Sequence, residues 1–238
     1  MTTSPWPTSR GPWEYEDVAR RFLRPTDRVL DVGTGGGELF IELADAYAEG
    51  VGVDNNPDMV RTANRNRPGS LRDRISFDVM DGRALTFDAD SFDVLLTRNT
   101  RFWPEQIVSV LRRGGYFVCQ QVGEHMSQPI LDAFGWGTSG AYWRRVFADQ
   151  GDPLLSRDEI SATFAALDCH IVATGHIDNR AWFCDLESLV FYMKAAPFPE
   201  AFDPAAHLEP FNRYLATAAG PRGYETTESW DLLVVQRR

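Results

Sequence analysis

Lysine is all but missing from this chain: of its 238 residues Lys194 is the only one, so the other 23 of the 24 basic residues are arginines. Against them stand 34 acids, and the resulting formal net charge of −10 argues against polyanion partners, which proteins hold by neutralising phosphates with cations. Arg61, Arg65, Arg67, Arg72 and Arg74 do cluster, but among acids, as a solvated helix face does; a local basic stripe for nucleic acid is the other reading. Cysteine is scarce too. Cys119, Cys169 and Cys184 lie far apart and outside any C-x-x-C spacing, which supports neither a disulfide framework nor a zinc site. No histidine pair has the spacing H-E-x-x-H, so no metal is expected. No apolar run approaches the ~18 residues of a membrane span, and Met1-Thr2-Thr3-Ser4-Pro5-Trp6 is no basic-then-apolar leader. A cytoplasmic protein without a membrane partner is expected, as a monomer or a homodimer.

What is present is 43% hydrophobic and 12% aromatic residues, enough for a folded globule, in a length that suits one α/β domain with an insertion. The most informative stretch is Asp31-Val32-Gly33-Thr34-Gly35-Gly36-Gly37, directly after the apolar run Arg28-Val29-Leu30. It puts a carboxylate and alternating glycines where a strand turns into a helix, expected over 38–49 with Leu39, Leu43, Ala46 and Tyr47 on its apolar face. Glycine permits positive φ and close approach of a ligand, and the loop would face the positive end of the helix dipole. Gly50-Val51-Gly52-Val53-Asp54 then reads as a second buried strand ending in an acid, the position that holds a ribose in nucleotide-binding βαβ units. The dinucleotide fingerprint G-x-G-x-x-G would need a third glycine at position 38, which is Glu38, so NAD is disfavoured.

The spacing D-x-G-x-G-x-G resembles instead the class I S-adenosylmethionine (SAM) methyltransferases. Charge agrees with this, because SAM carries an ammonium and a sulfonium where NAD carries a pyrophosphate, and a loop bordered by Asp31 and Glu38 repels phosphates. Later segments fall in the order the resemblance requires: the strand-like run 75–80 ending in Asp81-Gly82, the fourth strand Phe92-Asp93-Val94-Leu95-Leu96-Thr97, and Leu111-Arg112-Arg113-Gly114-Gly115-Tyr116-Phe117-Val118 as the turn into the fifth. The resemblance covers residues 28–122. It implies a doubly wound, seven-stranded, mostly parallel sheet of Rossmann-like type, SAM as cofactor with S-adenosylhomocysteine as product, and cofactor contacts from Asp31, Gly33, Gly35, Gly37, Asp54, Asn55, Asp81, Gly82 and Thr97. Within that set Asp31 lies near the amino-acid end, Asp54 takes the ribose hydroxyls and Asp81 the adenine amino group. The pieces Gln120-Gln121-Val122-Gly123 and Phe191-Tyr192-Met193-Lys194-Ala195-Ala196-Pro197-Phe198 look like those of a little-characterised bacterial branch of small methyltransferases.

A single domain is expected. Residues 1–24 form an N-terminal arm, carrying Trp6 and Trp13, and a helix over 15–23; residues 25–122 form the cofactor core. Residues 123–177 hold two short helices, a capping box at Ser156-Arg157-Asp158-Glu159, and a sixth strand over 170–177. Residues 178–228 read as a helical insertion, with helices over 186–195 and 204–219, and 229–238 as the last strand. Phe183, Leu186, Leu189, Val190, Phe191, Tyr192 and Met193 could line an acceptor pocket or seal the sheet.

Methyl transfer needs alignment above all, and a base only if the acceptor must lose a proton. His125, just past the fifth strand with Glu124 beside it as an orienting carboxylate, is the candidate base; His176 is second, and His170 and His207 read as structural. The fourth strand runs into Thr97-Arg98-Asn99-Thr100-Arg101-Phe102-Trp103-Pro104, where amino-methylating relatives carry Asn/Asp-Pro-Pro-Tyr/Phe. That motif is absent, which counts against planar amino acceptors. Arg98 and Arg101 could meet an anion on the acceptor, and Trp103, Tyr142, Trp143 and Phe191 supply apolar contact surface. These residues point to methyl transfer to oxygen or nitrogen of a small molecule. The alternatives are an rRNA base methyltransferase of guanine-N1 type, whose four-cysteine zinc module this chain lacks, and a protein that holds SAM without catalysis.

Overall fold

A computed structural model describes residues 11–149 and 154–238. Residues 1–10 of the expected arm, Trp6 with them, lie outside the described residues. The chain divides into two compact units, one built from Trp13–Gln121, Leu155–Gly175 and Leu232–Arg238, the other holding residues 122–149 and His176–Asp231.

The first unit is a parallel sheet with helices on its faces. Strands β1 (Arg28–Val32), β2 (Glu49–Asp54), β3 (Ile75–Val79), β4 (Phe92–Arg98) and β5 (Leu111–Val122) pair in parallel, as their near-continuous apolar runs require when both faces are covered. With β6 (Cys169–Phe183) and β8 (Gly223–Arg237) the order is β3-β2-β1-β4-β5-β8-β6, and the two-residue β7 (Ala219–Gly220) pairs with β8, one strand more than the seven expected. The order reverses between β1 and β4, the switch point outside whose carboxyl ends open α/β sheets bind ligands.

Alternation along the strands divides the core in two. Val29, Val94, Leu96 and Val118 point to one face, where α1 (Tyr15–Arg20), α2 (Glu38–Glu42) and α3 (Pro57–Asn66) pack and where Trp13 joins the cluster. Leu30, Leu95, Phe117 and Cys119, each one position along, face Ile107 of α4 (Pro104–Val110) and Phe164 of α7 (Arg157–Ala166). The capping box at the start of α7 is complete: Ser156 Oγ accepts from the Glu159 amide at 3.2 Å, and the Glu159 carboxylate accepts from the Ser156 amide at 2.7 Å.

In the second unit α5 (Gln128–Phe134), α8 (Leu186–Ala195) and α9 (Leu208–Ala218) enclose a separate core of Ile130, Phe183, Leu189, Met193, Phe202, Phe211 and Tyr214, beside α6 (Ser139–Asp149). Phe183, Leu189, Tyr192 and Met193 therefore seal this core, whereas Phe191 is 50% exposed and Leu186 also faces solvent.

Several boundaries differ from expectation. Helix α2 stops at Glu42 and continues only as a 3-10 turn over Ala44–Ala46, because the amides of Ala48 and Glu49 both bond to the Asp27 carbonyl and start β2 there. Five residues carry little dipole, so the loop before α2 owes its character to glycine and to the acids. Helix α1 ends at Arg20, the next turn being held by i→i+3 bonds from Arg21 and Phe22, and α9 begins at Leu208 because His207 closes a turn onto the Asp203 carbonyl. The strands expected over 170–177 and 229–238 run instead over Cys169–Phe183 and Gly223–Arg237, so both ends of the supposed insertion are strand. Polar residues at alternate positions pair between β6 and β8: Arg180 with Glu225 and His176 with Asp231.

Candidate functional site

Strand β1 delivers Asp31 to the switch point with 6% of its surface exposed. The loop that follows is held by its own backbone: the amides of Gly33 and Thr34 both donate to the Val53 carbonyl, at 2.8 and 3.0 Å, and the Gly37 amide donates to Thr34 at 3.0 Å. Gly33, Gly35 and Gly37 have φ of +78°, +56° and +76°, the left-handed region that side chains resist. They are not equivalent. A Cβ on Gly33 would overlap the Thr100 side chain and one on Gly37 would press on Phe77, whereas one on Gly35 would meet nothing within 4 Å. Gly35 is the open position of the loop.

Asp54 closes the arrangement at the end of β2. Its Oδ2 accepts from the Gly35 amide at 3.0 Å and its Oδ1 from the Asn56 amide at 2.9 Å, and each oxygen keeps a lone pair for a further donor. Burial pushes the Asp31 carboxyl up to about 7; Thr34 partly opposes the rise and the nearby charge of Asp54 adds to it. Yet Thr34 Oγ1 is itself buried without a hydrogen bond of ordinary geometry. A buried carboxylate beside another acid, an orphaned hydroxyl and a glycine with open space above it fit a ligand with cationic and polar groups. SAM, with its ammonium and sulfonium, has that chemistry.

The other cofactor candidates are distributed unevenly. Gly82 lies against Trp103 and Val32, either of which a Cβ there would reach at 3.3 Å. Asp81 is gripped by Arg83, which donates from its backbone amide at 2.9 Å and from its guanidinium at 2.6 Å and holds the carboxyl below its usual value. Asn55 is exposed, and its neighbour Asn56 caps α3 by accepting from the Asp58 amide at 2.9 Å. Thr97 is fully buried and spends its hydroxyl on the Val32 carbonyl at 2.9 Å, tying β4 to β1. Arg98 sits 3.5 Å from Glu16 with its guanidinium over the Tyr15 ring, and Arg101 stacks on Trp103 at 5.1 Å.

The clustered arginines are structural in part. Arg74 donates to the carbonyls of Ala44, Tyr47 and Ala48, Arg67 to that of Ile75, and Arg61 pairs with Asp58.

His125 belongs to the second unit, and its partner differs from the one expected. Glu124 does not orient it: that carboxylate takes two hydrogen bonds from Arg144, at 2.7 and 3.0 Å, and one from Thr138, which hold it below its usual value. The partner is Asp178 of β6, whose Oδ2 lies 2.9 Å from His125 Nδ1. Asp178 escaped the sequence reading because it lay in a supposed insertion; the signal was the polar alternation His176, Asp178, Arg180 of a strand with one solvated face. Tyr142 and Trp143 of α6 are half-buried, with ring centroids 5.0 Å apart, and Trp143 stacks on Phe147 at 5.5 Å. Among the described residues no three His, Cys, Asp or Glu side chains converge as metal ligands, and no helix is long and apolar enough to cross a membrane.

Residues 29–115, from β1 into β5, match the family described as methyltransferase domain. Over that segment the chain is similar to methyltransferase domains. The demethylmenaquinone methyltransferase of Roseiflexus castenholzii is 31% identical over 154 residues, 61% of this chain and 59% of the relative. The chain spans only 55–59% of the length of such curated relatives. Among solved structures, the YcgJ protein of Bacillus subtilis superposes with a TM-score of 0.57 at 17% identity, covering 94% of this chain and 98% of its own. A geranyl diphosphate methyltransferase in complex with SAM gives 0.58 at 15% identity, covering 94% and 84%. Both show that the α/β fold they share with this chain extends beyond the matched segment to nearly its whole length.

Proposed function

We propose that the protein transfers the methyl group of SAM to an oxygen or nitrogen of a small-molecule acceptor. The observation that carries this reading is the constellation at the end of β1 and β2: buried Asp31, the left-handed glycine loop open at Gly35, and Asp54 bonded into that loop. Asp54 would take the ribose hydroxyls with its remaining lone pairs, and Asp31 would face the ammonium of the amino-acid end. Asp81 would reach the adenine amino group by exchanging one of its Arg83 contacts. Bound SAM supplies an electrophilic methyl. His125 takes the proton that a hydroxyl or protonated amine gives up, and Tyr142 and Trp143 supply apolar surface for the acceptor. A small-molecule acceptor is supported by the demethylmenaquinone in the name of a relative and by the charge of −10, and the commitment of Arg67 and Arg74 to backbone carbonyls counts against an RNA substrate.

The test is incubation with methyl-labelled SAM and, separately, a small-molecule extract of bacterial cells and ribosomal RNA. Label in the small-molecule fraction is the expected result. Label in RNA would make the protein a base methyltransferase, and SAM binding without transfer to either fraction would make it a SAM-holding protein.

A further inference from the structure

His125 is one end of a series of four titratable side chains drawn from three segments of the second unit. Its Nδ1 lies 2.9 Å from Asp178 Oδ2; the same oxygen lies 3.3 Å from His176 Nε2, and His176 Nδ1 lies 2.8 Å from Asp231 Oδ1. Strand β6 brings His176 and Asp178 to one face by two-residue spacing, and β8 brings Ser229 and Asp231 beside them. The buried Ser229 hydroxyl accepts from the His125 amide at 3.2 Å and donates toward Asp178, so backbone and ring of His125 are held by one cluster. Burial works against the Asp178 charge, but the hydrogen bonds from Ser229, His125 and His176 together outweigh it and keep the carboxyl below its usual value. Asp231, and then Asp178, hold His176 above the usual imidazole value. The charged groups around the His125 ring are thus Asp178 and His176 on β6, Asp231 on β8, and Glu124 on its own loop, already paired with Arg144.

We propose that Asp178 is a positioning residue: it accepts the Nδ1 hydrogen of His125 and so fixes the tautomer whose Nε2 lone pair is free to take a proton, while His176 and Ser229 hold Asp178 in place. This rests on the reading of His125 as the base. It gives the acceptor a chemical class, a neutral hydroxyl or an ammonium, since an acceptor without a proton to lose has no use for the device. In the reaction the acceptor heteroatom bonds to the methyl carbon, and the carbon–sulfur bond breaks with its electron pair going to sulfur, leaving a neutral thioether. The acceptor proton passes to His125 Nε2 and later to water, and the imidazolium formed meanwhile faces the Asp178 carboxylate.

The tautomer can be read without knowing the acceptor. Nitrogen-15 NMR of the labelled protein, with the His125 signals assigned by their loss in His125→Gln, should show Nδ1 bearing the hydrogen and Nε2 as the pyridine-type nitrogen. Asp178→Ala should shift the ring toward the opposite tautomer, and the milder His176→Gln should do so in part. Glu124→Gln should change nothing. An Nε2-protonated ring in the parent protein, or a tautomer that follows Glu124 and ignores Asp178, would overturn the proposal. Turnover of labelled SAM with the small-molecule extract tests the underlying reading separately. His125→Ala should lose about 10²-fold or more with SAM affinity unchanged, and parent-like turnover would remove His125 as the base whatever its tautomer.

Discussion

A carboxylate buried as Asp31 is must be neutral or face a cation, because charge is costly to desolvate. Its folded value of about 7 lies above the 3.8 of an unperturbed aspartate, so protonation favours the folded state. The sign follows: this contribution is fully present below pH 4 and is lost as pH rises through 7. Asp31→Asn, which cannot ionise, should therefore be more stable than the parent above pH 7, by at most about 4 kcal/mol, and gain nothing near pH 4. Melting curves across that window measure it. The loop glycines make a second comparison. Gly33→Ala adds a clash with Thr100 to a left-handed φ and should cost about 1–3 kcal/mol of stability. Gly35→Ala meets only the backbone cost, about 1 kcal/mol, yet should lose SAM binding, because its methyl fills the open side of the loop. Equal loss of binding and stability in both would show that Gly35 has no ligand above it. The placement of Asp31, the glycines and Asp54 at the ends of β1 and β2 was legible in the sequence because it follows from local backbone geometry. The partners of Thr97, Asp81 and His125 were not, since Val32, Arg83 and Asp178 meet them through the way the chain folds, or through a choice among several candidate neighbours.

At the scale of elements, periodicity located the first five strands and most helices, and the capping box of α7 was visible residue by residue. Ser156→Ala should cost about 1 kcal/mol, since it removes an acceptor from the first turn of the helix that covers the fully buried Phe164. Chemical denaturation should show it as a lowered midpoint with unchanged slope. Helix α2 and strands β6 and β8 were misjudged for opposite reasons. Apolar periodicity continues past Glu42, but the hydrogen bonds from Ala48 and Glu49 to Asp27 require the chain to be extended by then. In β6, read as ending at Ile177 before a helical insertion, the alternation of polar residues lets one face be solvated and its charges pair with Glu225 and Asp231. The period of two was there to be read beyond Ile177; polarity masked it.

For the whole molecule, the acidic surplus and the scarcity of lysine bear on partners. Binding to ribosomal RNA in 150 mM salt should be undetectable by filter retention, and salt-sensitive retention would point to the arginines outside residues 29–115. In the proposed function the loop between β1 and α2 holds SAM against Asp31 and Asp54. Titration calorimetry with SAM tests it most directly, in the parent and in Asp54→Ala, at pH 6 and pH 8. Because the ammonium favours ionised Asp31, affinity should be about tenfold weaker at pH 6 than at pH 8, with proton release on binding. Asp54→Ala should weaken binding by about tenfold or more at both. SAM that fails to bind, or binds the parent and Asp54→Ala alike with no dependence on pH, would rule out a cofactor site at Asp31 and Asp54.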